Sequence, residues 1–158
     1  MAQDFQRSIE ELIGDETNFI ANAANFAAFL YENLGDVNWV GFYFSEGNGL
    51  VLGPFAGKPA CIRIEKGKGV CGTAQQKRET QIVEDVDQFP GHIACDPNSR
   101  SEIVVPLIYE SKCHGVLDVD SPKPARFSPE DGEMLEKLTD ILMRKSDVVK
   151  LANYYDVK

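Results

Sequence analysis

The chain has 158 residues, 43% of them hydrophobic, enough for one substantial core, and predicts a single domain over residues 1–158. Its formal net charge is -9 and no basic run interrupts it, which argues against phosphate-backbone binding and excludes nucleic acid as an expected partner. The N-terminus shows no charged-then-apolar leader, and Asn22 and Asn25 break the longest apolar stretch, so no membrane span is expected and a cytoplasmic location is.

In chain order, a short helical segment near residues 9–13 precedes a longer amphipathic helix over 16–34. There Phe19, Ala23, Phe26, Ala27, Leu30 and Leu34 recur at three- and four-residue steps, and Gly35 follows as a stop. Residues 37–44 alternate Trp39, Gly41 and Tyr43 against Val40, Phe42 and Phe44. A turn over 45–49 then leads into a strand over 50–55, a β-hairpin. A short strand is expected at 61–64, a loop at 67–69, a short helix at 70–76 and a strand at 80–83, while 85–100 has no period. Strands at 103–109 and 113–119 are joined by a tight turn near Glu110, Ser111 and Lys112 and should pair antiparallel. Ser128 reads as an N-cap, with Pro129 in the first turn and Asp131 reaching back. The helix continues through Met134, Leu135, Leu138, Ile141 and Leu142. The fold class is α+β, a central antiparallel sheet with its helices on one face.

Centring the second hairpin on Ser111 sets Glu102 opposite Asp120 and Val104 opposite Asp118. Glu102, Asp118 and Asp120 then share one face of the sheet. Two ionised carboxylates about 5 Å apart repel by roughly 3 kcal/mol at an effective dielectric near 20. A ligand ammonium, a shared proton or a hydrogen-bond donor would relieve that cost. Two alternatives stand: the strand ends splay so that the acids reach water or pair with Arg100 or Arg126, or the acids bind a metal. No loop has the spacing of an EF-hand.

The four cysteines lack C-x-x-C pairs, and in a reducing compartment such a set is more often catalytic, redox-active or metal-binding than a structural frame. Zinc on Cys61, Cys71, His92 and Cys95 is a further alternative, against which closed sites usually show tighter ligand pairs. Cys113 reads as a small buried hydrophobe at a strand start. Cys95 lies in a polar loop with Gly91, Pro97, Asn98 and Ser99. His92 or Arg100 would favour its thiolate there, and the carboxylates would oppose it.

Trp39-Val40-Gly41-Phe42-Tyr43, Leu52-Gly53-Pro54-Phe55, Gly69-Val70-Cys71-Gly72, the loop over 85–100 and Gly115-Val116-Leu117-Asp118-Val119-Asp120-Ser121-Pro122 together resemble the free methionine-R-sulfoxide reductases, which are GAF-domain enzymes. The resemblance spans about residues 19–142. It implies a GAF-like single domain with a central antiparallel sheet flanked by helices, usually a homodimer, acting on free L-methionine (R)-sulfoxide. It also implies Cys95 as nucleophile, Cys61 as the thiol that closes a disulfide for thioredoxin to reduce, and Cys71 as a third cysteine near the site. Glu102, Asp118 and Asp120 would hold the substrate's polar end and manage the proton, and Trp39 and Tyr43 would contact its methyl and sulfoxide region. No cofactor and no metal are expected. The competing expectation is a non-catalytic GAF sensor of a small molecule or of redox state. Such sensors normally adjoin output domains, for which this length leaves no room.

Overall fold

The computed structural model describes residues 2–92 and 96–157. Among them, five α-helices and six strands run in the order α1 (Ala2–Ile13), α2 (Phe19–Asn33), β1 (Trp39–Glu46), β2 (Gly49–Gly57), β3 (Arg63–Glu65), α3 (Gly69–Lys77), β4 (Gln81–Val83), β5 (Ser101–Tyr109), β6 (Lys112–Ser121), α4 (Pro129–Lys145) and α5 (Val148–Tyr155). The strands form one antiparallel sheet in the order β3-β2-β1-β6-β5-β4. The central strands β1, β5 and β6 are long and rich in β-branched and aromatic residues, and they are buried on both faces.

Strand alternation divides the interior in two. Val40, Phe42, Phe44, Ile103, Val105, Leu107, Leu117 and Val119 turn toward α1, α2, α4 and α5 and build the larger core. Trp39, Tyr43, Val104 and Val116 turn to the other face, where α3 brings Val70, Cys71 and Ala74. The expectation that every helix lies on one face is therefore corrected for α3. Its first turn is held against the sheet because Gly72 has no side chain: a Cβ there would stand 2.5 Å from the Glu65 carbonyl oxygen.

Most boundaries follow the expected capping chemistry. Ser128 accepts from the Asp131 amide while Asp131 accepts from the Ser128 amide, closing the capping box on α4. Helix α2 starts from the Asn18 cap and ends at Asn33; Asp36, not Gly35, takes the left-handed backbone that follows, with φ 61°. Asn22 is buried rather than merely disruptive: its amide donates to the Glu16 carbonyl and to the Ser146 hydroxyl, both at 2.9 Å, tying α2 to the end of α4. Helix α1 is longer than its sequence signal, and α5 is an addition.

Candidate active site

The β5–β6 register is the expected one, with Glu102 opposite Asp120 and Val104 opposite Asp118. On the other side of β6, Trp39 faces Asp120 and Gly41 faces Asp118. Three strands thus present consecutive rows on one face: Trp39, Asp120 and Glu102; then Gly41, Asp118 and Val104; then Tyr43, Val116 and Pro106. The acids do not reach water through splayed strand ends, because pairing continues past them to Ser101 and Ser121. Arg126 does not neutralise them either; it lies 3.4 Å from Asp131 and donates to the Gly35 carbonyl.

From these rows Trp39, Tyr43, Glu102, Asp118 and Asp120 floor an open pocket. The start of α3 contributes Gly69, Val70 and Cys71 to one wall, Lys58, Pro59, Ala60 and Ile64 form another, and His92, Asp96 and Ser99 line the side of the loop after β4. The aromatic wall owes its shape to Gly41. A Cβ there would fall 2.3 Å from the Phe55 Cβ and 2.6 Å from the Trp39 ring, so the missing side chain lets the indole lie across β1. Trp39 stacks between Phe55 and Tyr43, with ring centroids 5.3 and 5.9 Å away, and its indole N–H donates to the Lys58 carbonyl at 3.0 Å. The Tyr43 hydroxyl donates to the Cys61 carbonyl at 2.8 Å. Both aromatics therefore also hold the segment carrying Cys61.

The electrostatics follow from burial. Desolvation is the main reason that Glu102, Asp118 and Asp120 hold their protons well above the ordinary carboxylate range. The neighbouring charge adds to it: Asp118 acts on Glu102, Asp120 on Asp118, and Glu102 on Asp120. Burial and the same acids push the Cys71 thiol up as well; its Sγ lies 3.9 Å from Glu102 Oε2. Asp118 Oδ1 is buried with no hydrogen-bond partner among the described residues. A positive charge brought into the pocket would favour the ionised form of these carboxyls.

His92 Nε2 lies 3.8 Å from Glu102 Oε1. Burial lowers the His92 pKa, an effect that Asp87 only partly opposes, so the neutral imidazole is favoured. Residues 93–95, with the expected nucleophile Cys95, lie outside the described residues. The segments around them are anchored: the Val86 amide donates to the Arg100 carbonyl at 2.9 Å, and the Asn38 amide reaches Asp96 and Ser99 at 3.5 and 3.4 Å.

Cys61 is engaged in a disulfide, whereas Cys71 and Cys113 are free and buried. The pocket brings together Cys71, Trp39, Tyr43, Glu102, Asp118 and Asp120, all expected from the sequence; Cys61 sits in the connection between β2 and β3, behind the Tyr43 hydroxyl. Lys58, Lys68, Asp96 and Ser99 join them without having been anticipated as site residues. The donor atoms of Cys71, Glu102 and Asp118 lie within 4.8 Å of one another, a set able to hold a metal ion.

The GAF domain family matches residues 18–144, a span that contains every residue lining the pocket. Free methionine-R-sulfoxide reductase of Escherichia coli (strain K12) is 52% identical over 135 residues, covering 85% of this chain and 82% of that protein. Among solved structures, fRMsr of Staphylococcus aureus in its reduced form is 51% identical with a TM-score of 0.89, over 91% of this chain and 94% of that one. Free methionine-R-sulfoxide reductase from Neisseria meningitidis, in complex with its substrate, is 44% identical with a TM-score of 0.89, over 97% of this chain and 90% of that one.

Proposed function

Because the chain belongs to the free methionine-R-sulfoxide reductase family of GAF-domain proteins, we propose that it reduces free L-methionine (R)-sulfoxide to L-methionine. The observation that carries this proposal is the set of buried Glu102 and Asp118 with half-buried Asp120 beside an aromatic wall and a thiol. A free amino acid brings an ammonium to balance such a set, whereas a methionine sulfoxide inside a polypeptide brings none. The cluster then provides two things at once, a counter-charge for the ammonium and a carboxyl proton for the sulfoxide oxygen.

In the proposed reaction the Cys95 sulfur attacks the sulfoxide sulfur. The oxygen is transferred to Cys95 as a sulfenic acid, and methionine is released with its sulfur lone pair restored. The Cys61 thiol then attacks Cys95, forming the S–S bond while the oxygen leaves as water, and the dithiol of thioredoxin reduces the disulfide. This assignment of partners is supported by Cys61 being in a disulfide while Cys71 and Cys113 are free. Access for thioredoxin is supported by Ile62, next to Cys61 and 67% exposed, which offers an apolar contact for a docking protein. Cys71, in the pocket, is assigned to assist regeneration.

We place the activity in one catalytic domain spanning residues 1–158, working in the reducing cytoplasm as a homodimer. No helix among the described residues is long and apolar enough to cross a membrane.

The test is methionine released from free L-methionine R- and S-sulfoxide, assayed separately with dithiothreitol as reductant and Cys95→Ser as control. Release from the R form alone, lost in Cys95→Ser, is the expected outcome. Folded protein that releases methionine from neither form would leave a small-molecule sensor as the better account. Cys61→Ser should allow one round of release and slow recycling by thioredoxin; unchanged recycling would transfer the resolving role to Cys71.

A further inference from the structure

The thiol of Cys71 and the carboxylates of Glu102 and Asp118 converge from α3, β5 and β6, all three buried, with donor atoms within 4.8 Å of one another. A second observation points to a ligand: Asp118 Oδ1, on a residue only 6% exposed, has no hydrogen-bond partner among the described residues. An oxygen left unsatisfied in a buried site carries an uncompensated desolvation cost. A cation removes that cost directly.

We propose that this pocket binds a zinc-class divalent cation on Cys71, Glu102 and Asp118, and that the cation acts as a reversible brake by occupying the acids that the substrate needs. One sulfur and two oxygens select zinc or cobalt over magnesium and calcium, which require more oxygen ligands and harder ones. Zinc bonds of about 2.3 Å to sulfur and about 2.0–2.2 Å to oxygen put S and O roughly 3.5 Å apart in a tetrahedral site. The Cys71 Sγ to Glu102 Oε2 distance is 3.9 Å, so that pair closes on the ion with a shift of a few tenths of an ångström, and the 4.8 Å bound on the remaining pairs sets the largest closure Asp118 has to make. Three protein ligands leave a fourth position open for water. His92 Nε2, 3.8 Å from the other Glu102 oxygen, is positioned to steer that carboxylate, as outer partners of metal ligands do. The binding claim stands on geometry alone; the brake rests on the reductase assignment of these acids.

The test uses the disulfide form, in which Cys61 is tied and Cys71 and Cys113 are free. Titration with Co²⁺ should give thiolate-to-cobalt charge-transfer absorption and the visible bands of a four-coordinate ion, both removed by Zn²⁺. Cys113→Ser should retain them and Cys71→Ser should abolish them. Asp118→Asn should weaken binding by at least the roughly 10- to 100-fold that loss of an outer partner costs. Circular dichroism and melting check that each variant is folded. Absence of the bands in the native protein, or their persistence in folded Cys71→Ser, would overturn the site. Saturating free methionine sulfoxide should raise the apparent Kd for Co²⁺; no change would overturn the brake. If instead the reductase assignment is wrong, metal-free protein releases no methionine while the cobalt bands remain, so the two failures are separable.

Discussion

Desolvation chiefly, and the facing acid secondarily, raise Glu102, Asp118 and Asp120 well above the ordinary carboxylate range. A carboxyl in that condition donates to a departing oxygen at a pH where a solvated one is ionised. Glu102→Gln keeps the shape and removes the acid. It should lower kcat/KM for methionine formation by about 10²–10⁴-fold, the usual worth of a positioned general acid. Its Tm near neutrality should hold or rise, because the penalty for ionising one of several crowded, desolvated acids is gone. A large fall in Tm with activity retained would mark Glu102 as a structural partner instead. Tyr43→Phe tests a different link. It deletes the hydroxyl that donates to the Cys61 carbonyl at 2.8 Å, a bond worth about 1 kcal/mol, and should slow disulfide closure more than methionine release. Thiol loss followed against methionine in a single turnover separates the two steps, and equal rates of both in variant and native protein would dissociate Tyr43 from the positioning of Cys61. The strand residues of the pocket were legible because alternation assigns each to a face. Lys58, Asp96 and Ser99 come from connections without a period, where no spacing rule says which side chain turns inward. The bond from Tyr43 to the Cys61 backbone is invisible for the same reason.

At the scale of elements, the register of the acid-bearing hairpin was read correctly through two offsetting features. The turn is formed by Glu110 and Ser111, both with positive φ, as a two-residue hairpin turn requires. It pairs Tyr109 with Lys112, one residue out of step with a turn centred on Ser111. A bulge between Pro106 and Ile108 then supplies the extra residue, so beyond it Glu102 meets Asp120 after all. Helix α1 escaped in full length although Phe5, Ile9 and Ile13 repeat at four-residue steps; Ile9 and Ile13 are buried and Phe5 packs edge-on against Phe29. Helix α3 showed its length but not its side of the sheet, since Gly69, Val70, Gly72, Thr73 and Ala74 are small or β-branched and no single apolar stripe marks a face. Gly41 in β1 is the element-level dependency of the pocket. Gly41→Ala should cost about 1–3 kcal/mol through overpacking against Phe55 and should push the Trp39 ring out of its stack. Melting, tryptophan fluorescence and KM for methionine sulfoxide would register this together. An unchanged fluorescence spectrum and KM would mean that the indole does not depend on the gap.

The whole molecule places its acids on the smaller of two cores, with the larger core under α1, α2, α4 and α5 supplying most of the apolar burial that holds the sheet in place. Its stability should consequently carry a pH signature opposite to that of a salt-bridged protein. A carboxyl whose folded pKa is raised binds more protons in the native than in the unfolded state once the pH passes its unfolded value. Its contribution is complete below the ordinary range near pH 4 and is lost as pH rises through the raised value. Glu102, Asp118 and Asp120 all act in that direction. His92 and His114 act in the other: burial lowers both, so their contribution is present above the ordinary histidine range and lost on acidification. The native profile sums the two, and a difference between proteins isolates the acids. The Tm of Asp118→Asn minus that of the native protein should therefore increase as pH rises from the ordinary carboxylate range toward the raised folded value, because the substitution deletes a penalty that grows over that window. Free methionine sulfoxide, bringing an ammonium, should raise the native Tm more at the upper end than at the lower. Melting curves of both proteins at matched ionic strength decide it: a difference that is flat or falls with pH would mean that the Asp118 proton is not held by the fold.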